Sequence, residues 1–419
     1  MANVSSSNGL ENRPKLRFPG FDEPWKTNVF DKIFTFLPNN TLSRADLASC
    51  GDVLNVHYGD ILIKYDSILD VESNKIPYIA TGKENKKQCY LSDGDVIIAD
   101  TAEDETVGKC TEIINIRDAK IEAGLHTIPC HPQTAYVPMY LGYYMNSPHY
   151  HKQLVPLMQG VKVLSVSKSN IGNTLISAPV SYSEQEKIVK MLYLLDIRMC
   201  KQQEIIEALK KYKRGAVRAL LTPESCPLND VKWTYAQIGE LGKFIKGAPL
   251  SKADIASNGT PFILYGELYT TYNEVITQVV RRTQANTESQ YFSKIGDVVI
   301  PTSGETPEEI STASCIMLPD VILAGDLNIF RSSKIDGRIM SYVLNHIVNG
   351  SVARVAQGKS IVHVQASEIS KITIAYPDSE TQLKLISIFD AINLRIVQNE
   401  KILEQLRTQR KALLQKLFI

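Results

Sequence analysis

The stretch SEQEKIVKMLYLLDIRMCKQQEIIEALKKYKRGAVRALL, Ser183–Leu221, decides the fold. Its apolar positions Ile188, Leu192, Leu195, Met199, Ile206, Leu209, Ala216 and Leu220 advance by fours and threes once Gln202 and Lys213 fill the gaps. That is a heptad seam, so a long helix with a helical partner is predicted. Pro179 precedes it and Thr222-Pro223 stops it. The pattern returns 197 residues later, in Ser379–Ile419, as Leu385, Phe389, Ile392, Ile396, Asn399, Leu403, Leu406, Arg410, Leu413 and Leu417. The interruptions coincide: Gln202 matches Asn399, and Lys213 matches Arg410. A seam amide fixes register and partner at some loss of stability. A basic seam residue can carry its head out to water. Each helix of about 39 residues would run about 58 Å. Two matching seams predict that the helices pack on each other, antiparallel. The alternative lays each helix on its own domain's core.

The repeat extends upstream of both helices. Gln159-Gly160, Ile171 and Pro179 recur 198 residues on as Gln357-Gly358, Ile369 and Pro377. Trp25-Lys26 resembles Trp233-Thr234, Ile76-Pro77-Tyr78-Ile79 resembles Thr260-Pro261-Phe262-Ile263, and Gly94-Asp95-Val96-Ile97 resembles Gly296-Asp297-Val298-Val299. Short β-branched runs bracketed by Gly, Asp and Pro read as strands and turns. Tyr136 to Gln153 and Arg338 to Asn349 have mixed helical patterns. The fold class expected is α+β: two duplicated α/β domains separated by two long helices that form an antiparallel coiled coil, with pseudo-two-fold symmetry. The expected boundaries are a polar N-terminus over 1–15, a first domain over 16–182, a central helix over 183–222, a second domain over 223–377 and a C-terminal helix over 378–419.

Composition narrows the class. The 419 residues allow two to four domains, and 44% hydrophobic residues rule out wholesale disorder. Seven irregularly spaced Cys without a Cys-x-x-Cys pair read as free thiols of a reducing compartment. No apolar run is long enough for a membrane span, and Met1 to Pro14 lacks the pattern of a signal peptide. A cytoplasmic protein without membrane contact is expected. The net charge of +1 hides a distribution: −3 over 1–182, +4 over 183–221, −2 over 222–377 and +2 over 378–419.

Catalytic motifs are few. Ala353-x4-Gly358-Lys359-Ser360 fits a relaxed phosphate loop, but the strand-like Ile361-Val362-His363-Val364 follows where a helix is needed. Cys110, His126, Cys130 and His131 have no common zinc spacing and no counterpart in the second half. No metal site is expected. Dinucleotide, amino-methyltransferase, nucleophile-elbow and zinc-protease motifs are missing from the sequence. A non-catalytic protein is expected.

The layout resembles the specificity subunit of type I restriction–modification systems. The resemblance rests on Leu16-Arg17-Phe18-Pro19-Gly20-Phe21 with Trp25-Lys26 and on the two Gly-Asp strands. It rests also on Ala178-Pro179 followed by Ser183-Glu184-Gln185-x-Lys187-Ile188 and Leu195-Asp196. Tyr376-Pro377 and Glu380 to Leu385 repeat this less faithfully, with Asn393 where Asp196 stands. The resemblance implies a DNA reader with two target recognition domains, each reading half of a bipartite double-stranded site. The helix pair would be a ruler and a dock for two methyltransferase subunits, and a motor–nuclease (restriction) subunit would join for cleavage. No cofactor is expected on this chain; S-adenosylmethionine, and ATP and Mg for restriction, are expected on the partners. The alternatives are a coiled-coil scaffold without DNA specificity and a DNA methyltransferase in its own right.

Lys and Arg hold phosphates, and backbone can approach DNA at loop glycines. The candidate contacts in the first domain are Lys64, Thr81, Gly82, Lys83, Lys86, Lys87, Gln159, Gly160, Lys162 and Lys168. In the second they are Lys246, Lys252, Tyr265, Gly266, Arg281, Arg282, Lys294, Arg354, Gln357, Gly358 and Lys359. Thr81-Gly82 and Gln159-Gly160, with Tyr265-Gly266 and Gln357-Gly358, are the loop positions where backbone could approach DNA. Both domains are net acidic, which predicts weak DNA binding by the chain alone.

Overall fold

The computed structural model describes residues 13–83, 89–356 and 362–419. It forms two compact units: unit 1 is Met1–Gln202 with Ile402–Ile419, and unit 2 is Gln203–Lys401. Four helices matter below: α1 (Tyr58–Ile63), α2 (Tyr182–Leu221), α3 (Glu267–Thr270) and α4 (Ser379–Leu417). The two long helices, α2 and α4, have 40 and 39 residues, as the heptads predict. Unit 1 holds the start of α2 and the end of α4; unit 2 holds the converse. No helix among the described residues is long and apolar enough to cross a membrane.

Each unit is built on the same five-stranded sheet. In unit 1 the order is Phe34–Phe36, Thr127–Pro132, Val96–Ala99, Cys110–Ile114, Ile68–Asp70. In unit 2 it is Gly242–Lys246, Leu327–Ser332, Asp297–Pro301, Ser314–Ile316, Val275–Ile276. Only the last pair is parallel in either sheet. The Gly-Asp motif starts the middle strand in the same way twice. Gly94 (φ +87°) and Gly296 (φ +92°) take the left-handed conformation that favours glycine. Asp95 and Asp297 then close the turn, accepting from Ser92 N at 2.8 Å and Lys294 N at 2.7 Å. Each aspartate also holds the neighbouring strand, through His131 (2.6 Å) and Arg331 (2.6 Å) respectively.

A smaller sheet lies beside it. Val53–Val56 runs parallel to Lys120–Ala123 and antiparallel to Tyr78–Ile79. Thr260–Ile263 runs parallel to Ile322–Leu323 and antiparallel to Arg281–Thr283. The counterpart of Thr260–Ile263 is therefore Val53–Val56, and the expected match with Ile76-Pro77-Tyr78-Ile79 is corrected. Tyr78–Ile79 takes the place of Arg281–Thr283 instead. Short Pro-containing apolar runs look alike in sequence, whereas pairing between distant strands sets the true equivalence.

The interiors of these small sheets have diverged. Asn40, Asn55 and Glu122 are buried together in unit 1, Asn40 Nδ2 donating to Asn55 Oδ1 (2.8 Å) and Glu122 Oε2 (3.0 Å). Asn55 Nδ2 and Glu122 Oε1 have no hydrogen-bond partner among the described residues. The same three places in unit 2 hold Ala248, Phe262 and Ile322, all buried. The register fixes the match: Glu122 faces Asn55, Ile322 faces Phe262, and Asn40 and Ala248 each donate their backbone N–H to the following carbonyl of that strand.

The helix junctions explain why Gln185 and Gln382 recur. Gln185 is buried, accepts from Val137 N (3.0 Å) and donates to Pro179 O (3.0 Å). Gln382 is buried, accepts from Asp336 N (2.9 Å) and donates to Pro377 O (2.8 Å). Each glutamine pins the start of its helix to its own domain. In unit 1, Ile188, Leu192 and Leu195 of α2 share one core with Leu406, Leu413 and Leu417 of α4 and with Phe30 and Tyr140. In unit 2, Leu385 and Phe389 of α4 share one core with Val217 and Leu221 of α2 and with Phe330 and Tyr342. The two sequence alternatives thus both hold: helix lies on helix, and the pair lies on the domain. Asp196 meets Arg410 within unit 1 and Lys210 meets Glu400 within unit 2. Partner numbers fall as α2 numbers rise, so the pairing is antiparallel.

The expectation that the basic seam residues reach water is also corrected. Lys213 is buried, with Nζ 2.5 Å from Glu274 Oε2; His346 Nε2 donates to the other oxygen at 2.7 Å. Arg410 Nε lies 2.6 Å from Asp196 Oδ1, and its Nη2 lies 3.1 Å from Asp66 Oδ1. The domain supplies a carboxylate at each place, Glu274 and Asp66, and α2 adds Asp196 at the second, so each cation is paired without snorkelling. Tyr143 Oη donates to Asp196 Oδ2 (2.9 Å), and Asn393 Nδ2 donates to Tyr342 Oη (2.7 Å), so the Asp196/Asn393 difference is absorbed by reversing one hydrogen bond.

Candidate nucleic-acid interface

In unit 2 the end of the strand Thr260–Ile263 runs into Tyr265-Gly266-Glu267, and Glu267 starts α3. Glu267 is buried, accepts from Leu264 N (3.3 Å) and holds Arg281 Nε at 2.8 Å. Burial alone would penalise that carboxylate; the guanidinium offsets it and fixes the strand carrying Arg281 against the short helix. These residues form one wall of a cleft of about 1130 Å³. Lys246 and Lys252 line it too, with Tyr269, Leu250, Glu305 and Asp326. Its charges balance: Lys246, Lys252 and Arg281 against Glu267, Glu305 and Asp326.

Five of the predicted residues of the second domain therefore meet in one place: Lys246, Lys252, Tyr265, Gly266 and Arg281. Arg282 adjoins it, with Nη1 donating to Gly259 O at 2.9 Å. Lys294 lies elsewhere, in the Gly296-Asp297 turn. Arg354 is exposed on the helix Asn349–Val355, away from the cleft lining. Gln357, Gly358 and Lys359 lie outside the described residues, as do Lys86 and Lys87. The strand Val362–His363 comes next in the sequence and pairs with Ser303–Gly304, where a phosphate loop would need a helix.

Unit 1 repeats the wall with residues the sequence reading missed. Tyr58-Gly59-Asp60 opens α1 where Tyr265-Gly266-Glu267 opens α3. Asp60 is buried and paired with Arg44 (3.1 Å) and Lys64 (2.8 Å), as Glu267 is with Arg281. The counterpart of Tyr265-Gly266 is thus Tyr58-Gly59. The signal was present: the tripeptide Tyr-Gly-acid occurs in both halves, 207 residues apart. Thr81 and Gly82 form a turn closed by Lys83 N to Ala80 O (3.0 Å), and Lys83 Nζ pairs with Asp46 (3.2 Å).

Gln159 and Gly160 root a hairpin. Gln159 and Ser165 exchange two backbone hydrogen bonds, of 2.9 and 2.8 Å. Gly160 has φ +124°, and a Cβ there would collide with Val163 O. The tip Val161-Lys162-Val163 is exposed, Val161 at 99%. Lys168 opens the next helix, which Ser167 caps, and its Nζ donates to Leu37 O at 3.5 Å. His126 and His131 pair with Asp100 (3.3 Å) and Asp95 (2.6 Å), while Cys110 and Cys130 are buried thiols whose pKa is pushed up by desolvation.

Residues 230–408 match the family model described as Type I restriction modification DNA specificity domain. No curated protein matches the chain's sequence. Two solved structures share its fold. One is the type I restriction-modification system S subunit from M. genitalium, with 14% identity and a TM-score of 0.54, over 97% of this chain and 99% of that one. The other comes from a study of complex assembly and conformational transition of the type I R-M system, with 15% identity and a TM-score of 0.59, over 95% and 97%. The class of fold is that of the two-domain S subunits. Residues 230–408 are thus similar to the type I restriction–modification DNA specificity domain, and the whole chain has the fold of the S subunit.

Proposed function

We propose that this chain reads a bipartite double-stranded DNA target, unit 1 taking one half-site and unit 2 the other, and docks the subunits that act on it. The observation that carries this reading is the repeated wall: Tyr58-Gly59-Asp60 on α1 and Tyr265-Gly266-Glu267 on α3, each at the end of an equivalent strand. Each unit thus presents the same strand-to-helix edge, which suits two half-sites of different sequence. Lys and Arg contacts to phosphate position the duplex, and base edges supply specificity.

Docking is supported by apolar side chains left open on the helices. Unit 1 exposes Met191, Leu194 (54%) and Ile197 on α2; unit 2 exposes Ile388, Leu394 (58%) and Val397 on α4. Met191 and Ile388, and Ile197 and Leu394, are pairs at the 197-residue repeat. One methyltransferase subunit per stripe gives two in all. Those subunits would flip out adenine and methylate it with S-adenosylmethionine, and a motor–nuclease subunit would add ATP and Mg. The complex would act in the cytoplasm, where the host DNA lies.

The test is an adenine-methylation map of the host genome with and without this gene. Loss of methylation at one split motif upon deletion is the expected result. An unchanged map, with no methyltransferase co-purifying with the chain, would overturn the reading.

A further inference from the structure

The two units differ where equivalent strands enter their central sheets. The connection between the small sheet and the strand Thr127–Pro132 is Gly124-Leu125-His126, and before Leu327–Ser332 it is Ala324-Gly325-Asp326. His126 O accepts from Asp100 N (3.1 Å), and Asp326 O accepts from Thr302 N (2.7 Å), so the two residues hold the same place in the pairing. The left-handed residue is His126 in unit 1 and Gly325 in unit 2. His126 is exposed, 5.3 Å from the Tyr58 ring and 3.3 Å from Asp100. Asp326 is exposed on the cleft that Tyr265 lines, and Ser303 Oγ donates to its Oδ2 at 3.1 Å.

We infer that Asp326 is a specificity-determining residue of unit 2, accepting a hydrogen bond from the exocyclic amine of a cytosine or adenine in its half-site. This rests on the DNA-reading function proposed above. A carboxylate is acceptor-only and repels phosphate, so a cleft that reads DNA gains from one only where it meets a donor. Glu267 differs in being buried against Arg281; Glu305 and Asp326 are both exposed, and Asp326 is the one whose carboxylate is oriented by a buried hydroxyl, that of Ser303, on a short connection held by backbone bonds. Ser303 orients the group from one oxygen, leaving a defined direction for the second. His126 presents ring nitrogens, one of which carries a proton when the ring is neutral, so unit 1 can offer a donor at the corresponding place. The two half-sites then differ in hydrogen-bond polarity there.

The experiment maps adenine methylation genome-wide in the host carrying the wild-type, Asp326→Ala or Asp326→Asn chain. In the wild type, one half-site requires an amine-bearing base at one position. With Asp326→Ala, discrimination at that position alone falls about tenfold. With Asp326→Asn, which keeps one oxygen acceptor and adds an amide donor, the exclusion of guanine and thymine there is relaxed while adenine is still accepted. An unchanged motif, an altered second half-site, or a uniform loss at every position would overturn the assignment. A wild-type map without any split motif would instead sink the DNA-reading function on which it rests.

Discussion

Lys213 and Arg410 stand at the same place on two helices, 197 residues apart; Lys213 buries its charge against Glu274 of the sheet domain, and the half-buried Arg410 meets Asp66 of its domain and Asp196 of α2. Removing one partner of a buried pair leaves an uncompensated charge, at about 3–5 kcal/mol. Lys213→Met is therefore expected to destabilise unit 2 by about that amount, and Arg410→Met to destabilise unit 1 by less, since Asp66 and Asp196 stay in contact with water. Hydrogen exchange distinguishes them. Lys213→Met speeds exchange at Val275–Ile276 and Ser314–Ile316, and leaves Ile68–Asp70 and Cys110–Ile114 as they were.

The same pair makes unit 2 sensitive to acid. Burial by itself would raise the Glu274 carboxyl, but the contacts with His346 and Lys213 outweigh it and hold it down at about 2, against an ordinary 4.5. A carboxyl depressed in the folded state contributes stability above its unfolded pKa and loses it as pH falls through the folded one. About 3 kcal/mol of unit 2's stability should vanish between pH 4.5 and 2. Urea titrations of the full chain at several pH values check this, with Glu274→Gln expected to lack that slope.

Lys162 rides the hairpin rooted by Gln159 and Gly160. If it neutralises one phosphate, Lys162→Ala lowers affinity alike for all targets and reduces the salt slope of complex binding by about 0.9. Gly160→Ala forces a Cβ against Val163 O and should remove the hairpin contact altogether. A salt slope unchanged in both variants would remove this tip from the interface.

Because residues 1–182 carry a net −3 and 222–377 a net −2, the chain alone should bind random DNA weakly, near the 10⁻⁴ M end of the usual non-specific range of about 10⁻⁴ to 10⁻⁶ M. Tight binding should appear on adding the methyltransferase subunits. Fluorescence anisotropy with and without them measures both.

A ruler made of helix has a fixed exchange rate with DNA. Deleting one heptad from each helix, 200–206 and 397–403, removes about 10.5 Å and should shorten the spacer between half-sites by about three base pairs. Methylation mapping of the deletion strain reads the spacer directly, and an unchanged spacer contradicts a ruler.

The long helices and their antiparallel pairing were legible because heptads are local and their interruptions repeated in step: Gln202 with Asn399, Lys213 with Arg410. The Gly-Asp strands were legible because one φ-permissive residue and one turn-closing carboxylate sit side by side. The ion pairs of Lys213 and Arg410 were not, since Glu274 and Asp66 lie far away in sequence and only the fold brings them near. The candidate interface was legible in part. Lysines and arginines can be listed, but whether Arg281 faces a cleft and Lys294 a turn depends on strand register. Tyr58-Gly59 escaped because neighbouring motifs were aligned by look rather than by the strand each one ends.

The contrast between Asn40, Asn55 and Glu122 in one unit and Ala248, Phe262 and Ile322 in the other bears on how a duplicated gene can diverge. Replacing any one of the polar three strands its buried neighbours, at about 1–3 kcal/mol for each unsatisfied group. That interior must change as a set, or hardly at all. Exposed positions such as His126 and Asp326 change at roughly 0.5 kcal/mol or less. The copies are therefore expected to drift at two tempos, with new targets arising quickly on the rim while the scaffold beneath moves in rare concerted steps.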